Sequence, residues 1–209
     1  MTYKRNIIAT SLSAILLLGV LVVYAQGGWT KPDALVYAFT QKYLAINTTS
    51  AMVSLTILGS WMAQAIIVAI QLIWDKRKGV VLLANMGLIY GLNFLLKIII
   101  HRPRPDVVHL VIEHGYGFPS VYAMTSMALF AYLIVYCFKQ HKPRAVFFFL
   151  LTLIIGITRI YLGVHYFSDI LAGYAFALFE LSLLFFVIKY AKIEHAKKKK
   201  NTCSRSSAG

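Results

Sequence analysis

Charge is what this chain has least of. Asp, Glu, Lys and Arg make up 13% of its 209 residues, against roughly 25% in a soluble domain. Acids are scarcest: seven Asp and Glu face 21 Lys and Arg, for a formal net charge of +14. With two cysteines, Cys137 and Cys203, no disulfide framework can form. No stretch between the apolar runs is long enough to fold as a separate soluble domain, and no internal repeat of fixed period is present. These absences exclude a soluble globular enzyme, a disulfide scaffold and a solenoid.

Apolar residues make up 59% of the chain. They fall into runs long enough to cross a ~30 Å hydrocarbon core. Six runs are legible, at 7–24, 51–74, 80–100, 120–138, 145–161 and 170–190. The expected fold is all-α: a polytopic membrane bundle of six transmembrane helices forming one domain over 1–209, with a core at about 51–190 and a basic tail at 191–209. The first run ends in Val23-Tyr24-Ala25, a weak match to a leader cleavage site. Its apolar stretch is long for a leader, so an uncleaved anchor is expected. Asn47-Thr48-Thr49 fits a glycosylation sequon, which says nothing further without the host.

The cations are unevenly placed. If six helices alternate, 15 of the 21 Lys and Arg fall on one face, which the positive-inside rule makes cytoplasmic together with both termini. The lysine run at 197–200 then reads as a tail against anionic headgroups rather than a nucleic-acid site. On the opposite face remain Lys31, Lys42, Lys97, Arg102, Arg104 and Arg159. Arginines near span ends usually snorkel to the interface, and Arg102 fits that reading as well as any other.

Three polar clusters gather on that outer face. The first is Lys97, six residues, then Arg104-Pro105; the second is Pro119-Ser120-Val121-Tyr122; the third is Thr158-Arg159, five residues, His165, three residues, Asp169. Positions i and i+4 share a helix face, so Asp169 can orient one ring nitrogen of His165 and leave the other as a nucleophile. Lys97, Arg104 and Arg159 supply positive charge for phosphoryl oxygens. Ser120, at a helix N-terminus, adds a donor where anions are favoured. The cations carry out the neutralisation, so no metal or other cofactor is required. His101, His109 and His114 read as ordinary interfacial histidines, and Glu180, inside the sixth run, has no evident role.

In these three motifs the chain resembles the type 2 phosphatidic acid phosphatases, membrane lipid phosphatases that share a core with vanadium haloperoxidases. The family pattern is K-x6-R-P, then P-S-G-H, then S-R-x5-H-x3-D, and the likeness covers roughly residues 30 to 190. It implies a phosphohistidine at His165, orientation by Asp169, and phosphate binding by Lys97, Arg104, Ser120 and Arg159. It also implies a lipid phosphate or pyrophosphate as partner, met at the outer leaflet of the cell membrane.

The second motif departs from the pattern: Val121-Tyr122 stands where the family has Gly-His. That histidine protonates the leaving group, and a general acid supplies about 10²–10⁴-fold. Four accounts compete. Tyr122 is a slower acid; the leaving group is a phosphate needing little help; His109 or His114 reaches in; or the chain is a lapsed family member that binds or senses lipid phosphates. A β-branched Val121 would be a second fault if the backbone there had to take a left-handed conformation.

Overall fold

The computed structural model describes residues 3–43, 48–136 and 141–206; the side chains of 3, 43 and 195–206 are outside the described set. Asn47, Cys137 and the 138 end of the fourth expected run lie outside the described residues, as do the side chains of Cys203 and the 197–200 lysines. The described elements are all helical: α1 (Tyr3–Ala25), α2 (Thr30–Tyr43), α3 (Thr49–Ile57), α4 (Trp61–Trp74), α5 (Lys76–Ile100), α6 (Val121–Tyr136), α7 (Lys142–Tyr161) and α8 (Phe167–Ser206). Five segments are long and apolar enough to span a membrane, one of them α3 and α4 together, and α6 is a shorter apolar helix. With α6 the six expected runs are all helical. Large apolar side chains such as Ile15, Ile66, Ile73 and Phe94 project outward, as a lipid-facing surface requires.

Helix α6 is the hub, packed between α5, α7 and α8. Every residue from Ala123 to Phe130 is buried, because a helix apolar all round can be enclosed on all sides. Small residues let its neighbours close in. A Cβ on Gly173 of α8 would meet the Met124 nitrogen and the Ser120 oxygen of the α6 start at 3.1 Å. Helix α1 lies along α8, where Ser13 Oγ meets Ser182 Oγ at 2.8 Å and Tyr24 stacks on Phe118 at 4.6 Å.

Two features depart from the uninterrupted runs read in the sequence. The 51–74 run is broken at Leu58-Gly59-Ser60, because Gly59 is wedged against Ile155 and Tyr122, 2.8 Å and 3.1 Å from where a Cβ would stand. The freed groups find partners, as apolar surroundings demand. Ser60 caps α4 by accepting from the Ala63 N–H, and Gln64 Nε2 donates to the Gly59 carbonyl at 2.9 Å. Secondly, Thr30–Tyr43 folds as α2, too polar for a span and with Pro32 in its first turn, where the ring costs no hydrogen bond.

Helix α5 ends at His101, the only non-glycine described residue in the left-handed region (φ 50°), whose N–H bonds back to the Lys97 carbonyl. Val121 therefore opens α6 without the left-handed backbone that would have made it a fault. Glu180 in α8 has both carboxylate oxygens buried without a hydrogen-bond partner among the described residues.

Candidate active site

One end of the bundle collects the polar clusters. The end of α5 and the loop after it bring Lys97, Arg102, Arg104 and Glu113; the start of α6 brings Ser120; the end of α7 brings Arg159. The turn 162–166 brings His165, and the start of α8 brings Ser168 and Asp169. Gly163 (φ 75°) shapes that turn, and its missing Cβ would lie 2.5 Å from the Val108 carbonyl oxygen. Gly117 lets the loop backbone pass the Asp169 carboxylate, 3.3 Å from the place a Cβ would occupy.

His165 is 1% exposed and Asp169 wholly buried. His165 Nδ1 lies 3.4 Å from Asp169 Oδ2, in ion-pair range but without the alignment of a good hydrogen bond. On the other side, Nε2 stands 3.3 Å from Arg104 Nη1. An arginine can only donate, so Nε2 carries the lone pair and the ring proton resides on Nδ1, toward Asp169. Burial pushes the imidazole down to about 4, against the pull of Asp169, and the charges of Arg159 and Arg104 add to the drop. The ring is neutral at physiological pH, as a nucleophile must be.

Asp169 is fixed from behind. Its Oδ1 accepts from Arg102 Nη1 at 2.6 Å and its Oδ2 from the Tyr166 N–H at 2.9 Å. Arg102 does not snorkel. Its guanidinium also reaches Ser168 Oγ at 2.7 Å and Asp33 Oδ2 at 2.9 Å, with the Tyr166 ring 4.2 Å away. Burial works against its charge, but Asp169 and Asp33 outweigh it and raise its pKa. Asp33 comes from α2, is 4% exposed, and accepts from both the N–H and the hydroxyl of Ser168. The chain Asp33, Arg102, Asp169, His165 thus ties α2, the loop and α8 together.

Arg104 and Arg159 act on the charge of the imidazole, and Arg104 in turn acts on Lys97. Arg104 Nη1 donates to the Val164 carbonyl at 2.9 Å and Nη2 to that of His114 at 3.0 Å. Arg159, 1% exposed, donates to Thr56 Oγ1 at 3.0 Å and pairs with Glu113. Lys97 Nζ donates to the Tyr116 carbonyl at 2.5 Å and lies within electrostatic reach of Arg104, Asp169 and Glu113. Among the described residues Ser120 Oγ and Arg159 Nε, like His165 Nδ1, are buried without a hydrogen-bond partner, and such groups call for an explanation that a bound anion would supply for the first two. Glu113 spans the cations, its carboxylate on Arg159 and 3.7 Å from Arg104 Nη2. Tyr122 lies with its ring face 4.0 Å from the Arg159 guanidinium, a cation–π contact.

Every site residue picked from the sequence therefore lies at this end, and five of them (Lys97, Arg104, Arg159, His165, Asp169) form one electrostatic cluster. Sequence reasoning missed Asp33, Thr56, Glu113 and Ser168, and gave Arg102 no firm role. In a chain with only seven acids, Asp33 and Glu113 are conspicuous for their scarcity, but nothing local in the sequence names their arginine partners. His109 is occupied with the Pro105 carbonyl at 2.9 Å, and His101 packs edge-on against Tyr116. Among the described residues no three His, Cys, Asp or Glu side chains converge as metal ligands.

A comparison of the sequence with family models matches residues 78–193, over half the chain, to the PAP2 superfamily. The chain belongs to that superfamily. Among curated proteins, this PAP2 protein is 35% identical over 124 residues to phosphatidylglycerophosphatase B of Bacillus subtilis (strain 168), covering 56% of its own length and 57% of the relative's. It is 36% identical over 75 residues to lipid A 4'-phosphatase of Bacteroides thetaiotaomicron, 34% of its own length and 32% of the relative's. The chain thus spans a third to somewhat over half of the curated relatives it matches. Among solved structures, a transmembrane PAP2-type phosphatidylglycerolphosphate phosphatase from Bacillus subtilis superposes with a TM-score of 0.70 at 24% identity, over 90% of this chain and 98% of that one. LpxE of Aquifex aeolicus gives 0.64 at 22%, over 72% and 92%. These likenesses show a PAP2 membrane fold, in keeping with the all-helical bundle read from the sequence: five segments long enough to span and the shorter apolar α6.

Proposed function

We propose that this protein is a metal-independent membrane phosphatase that cleaves lipid phosphates or pyrophosphates through a phosphohistidine at His165. The observation that carries the reading is the neutral, buried imidazole of His165, with its lone-pair nitrogen turned toward Arg104 in a cluster of three cations. Nε2 attacks phosphorus, the bond from phosphorus to the leaving oxygen breaks, and its electron pair departs with that oxygen. The phosphoryl oxygens take over the donors of Arg104, Arg159, Lys97 and Ser120. Asp169 stabilises the charge that the ring acquires, the role of an orienter in nucleophilic catalysis. Water then attacks phosphorus, the N–P bond breaks back to the ring, and inorganic phosphate leaves. The two named relatives act on lipid-linked phosphates, as their names state, and this supports the same substrate class here.

Tyr122 takes the motif position where the family has its acid histidine, and its ring face lies on Arg159. A phenol is a weaker acid than an imidazolium and gives less help to a departing alkoxide. The reading therefore favours substrates whose leaving group is itself a phosphate, such as polyprenyl pyrophosphates, over simple monoesters. The basic residues concentrated at the opposite end support a site facing out of the cell, with both termini cytoplasmic.

The test is phosphate release by purified protein from a panel of monoester and pyrophosphate lipids. His165→Ala should abolish release, and Tyr122→His should raise the monoester rate by about a hundredfold, the lower end of what a positioned acid supplies. Release that survives His165→Ala would remove the phosphohistidine.

A further inference from the structure

At the end of the bundle remote from His165, α1, α6, α7 and α8 part to leave two cavities that meet. The first, about 510 Å³, is lined by the basic Arg5, Lys142, Lys189 and Lys192, with Ile134 and Ile188 among its apolar walls. The second, about 350 Å³, runs along α1 and α8 and is lined chiefly by apolar side chains, among them Leu12, Leu16 and Leu181. Both are of ligand-holding size. Asn6, Val135 and Phe185 line both, so the two form one groove that is basic in its first part and apolar in its second.

Asn6 marks the junction. It is 6% exposed, its Nδ2 donates to the Phe185 carbonyl at 3.1 Å, and its Oδ1 is buried without a partner among the described residues. A buried acceptor left open where a basic cavity meets an apolar one calls for a donor from a bound molecule. The four cations come from three different helices, α1, α7 and α8. Snorkelling along one helix face would not bring them to one cavity. We propose that this groove binds an anionic phospholipid. Its phosphate sits among Arg5, Lys142 and Lys192, one acyl chain lies along α1 and α8, and a head-group hydroxyl donates to Asn6 Oδ1. Basic pockets between transmembrane helices are suited to anionic head groups. The site shares no residue with the His165 cluster and does not depend on the reading of that cluster.

Native mass spectrometry of the full chain, incubated with equal amounts of phosphatidylglycerol and phosphatidylcholine, tests this. Wild type should retain phosphatidylglycerol preferentially. At about fivefold per cation, Lys142→Gln with Lys192→Gln should weaken that retention about 25-fold. Asn6→Leu should weaken it separately, while His165→Ala should leave it unchanged. Gel filtration and circular dichroism check the fold of each variant, and Lys142→Ala with Lys192→Ala stands in should the glutamine pair aggregate. Equal retention of the two lipids, meaning annular lipid only, would overturn the proposal. So would unchanged phosphatidylglycerol retention in the double variant, or its loss in His165→Ala.

Discussion

Glu113 sits where a phosphate bound to Arg159 and Arg104 would place its oxygens, so ligand and carboxylate compete for the same donors. Glu113→Gln keeps the shape and removes the charge. Two effects then oppose each other. Arg159, 1% exposed, loses the charge of its partner. Breaking a buried pair outright costs about 3–5 kcal/mol, but the amide oxygen still accepts. The loss is then nearer the ~1–1.5 kcal/mol that separates charged from neutral hydrogen bonds. The same amount is returned when phosphate arrives, because it displaces a weaker occupant; at 1.4 kcal/mol per decade this is about tenfold in affinity. The inhibition constant of inorganic phosphate should fall about tenfold in Glu113→Gln. The ligand-free variant should melt about 2–4 °C lower, and added phosphate should raise its melting point more than that of wild type. A variant inhibited no better than wild type would show that Glu113 does not stand in the path of the ligand.

Two further outcomes follow from the site. His165 is held near 4 when folded, against 6.5 when free, so the neutral form is the one the fold favours. This contribution is fully present above about pH 6.5 and is lost as pH falls toward 4. At 1.36 kcal/mol per unit it amounts to about 3 kcal/mol; melting curves from pH 7 to 4 should therefore fall more steeply for wild type than for His165→Ala, and parallel curves would contradict the burial argument. Arg102→Lys should lower kcat roughly tenfold to a hundredfold with KM little changed, because a single ammonium cannot replace the planar fork that meets Asp33, Ser168 and Asp169 together. A kinetic titration over pH should show the loss in kcat, and a change confined to KM would place Arg102 in substrate binding instead.

Much of this molecule could be read without coordinates, because its strongest signals are local. Spans announce themselves by length and apolarity, and the four-residue spacing pairs His165 with Asp169, although His165 lies in the turn ahead of α8 and not on a shared helix face. What escaped was decided by distance in space. Nothing in the neighbourhood of Asp33 says that it will meet Arg102, 69 residues later. The arginine itself, two residues before Arg104 and near a membrane surface, had an equally good reading as an interfacial anchor. Glu113 lies in a loop with no periodicity to place it. The break at Gly59 was hidden for a different reason. Its sequence suits an unbroken helix, and only the approach of Ile155 and Tyr122 makes the bend. Tyr122 was singled out correctly as the odd residue of its motif, but the aromatic face it offers to Arg159 depends on how α6 and α7 cross.

The clasp of Asp33 on Ser168 and Arg102 has a consequence for how this chain can be cut or extended. The family match begins at residue 78, yet the carboxylate that steadies the support of the imidazole belongs to α2, far upstream. A fragment trimmed to the matched region would keep His165 and Asp169 and lose the Asp33 anchor behind them. Tags or linkers inserted between α1 and α2 would pull on the same tether, so the minimal functional piece must start before Thr30.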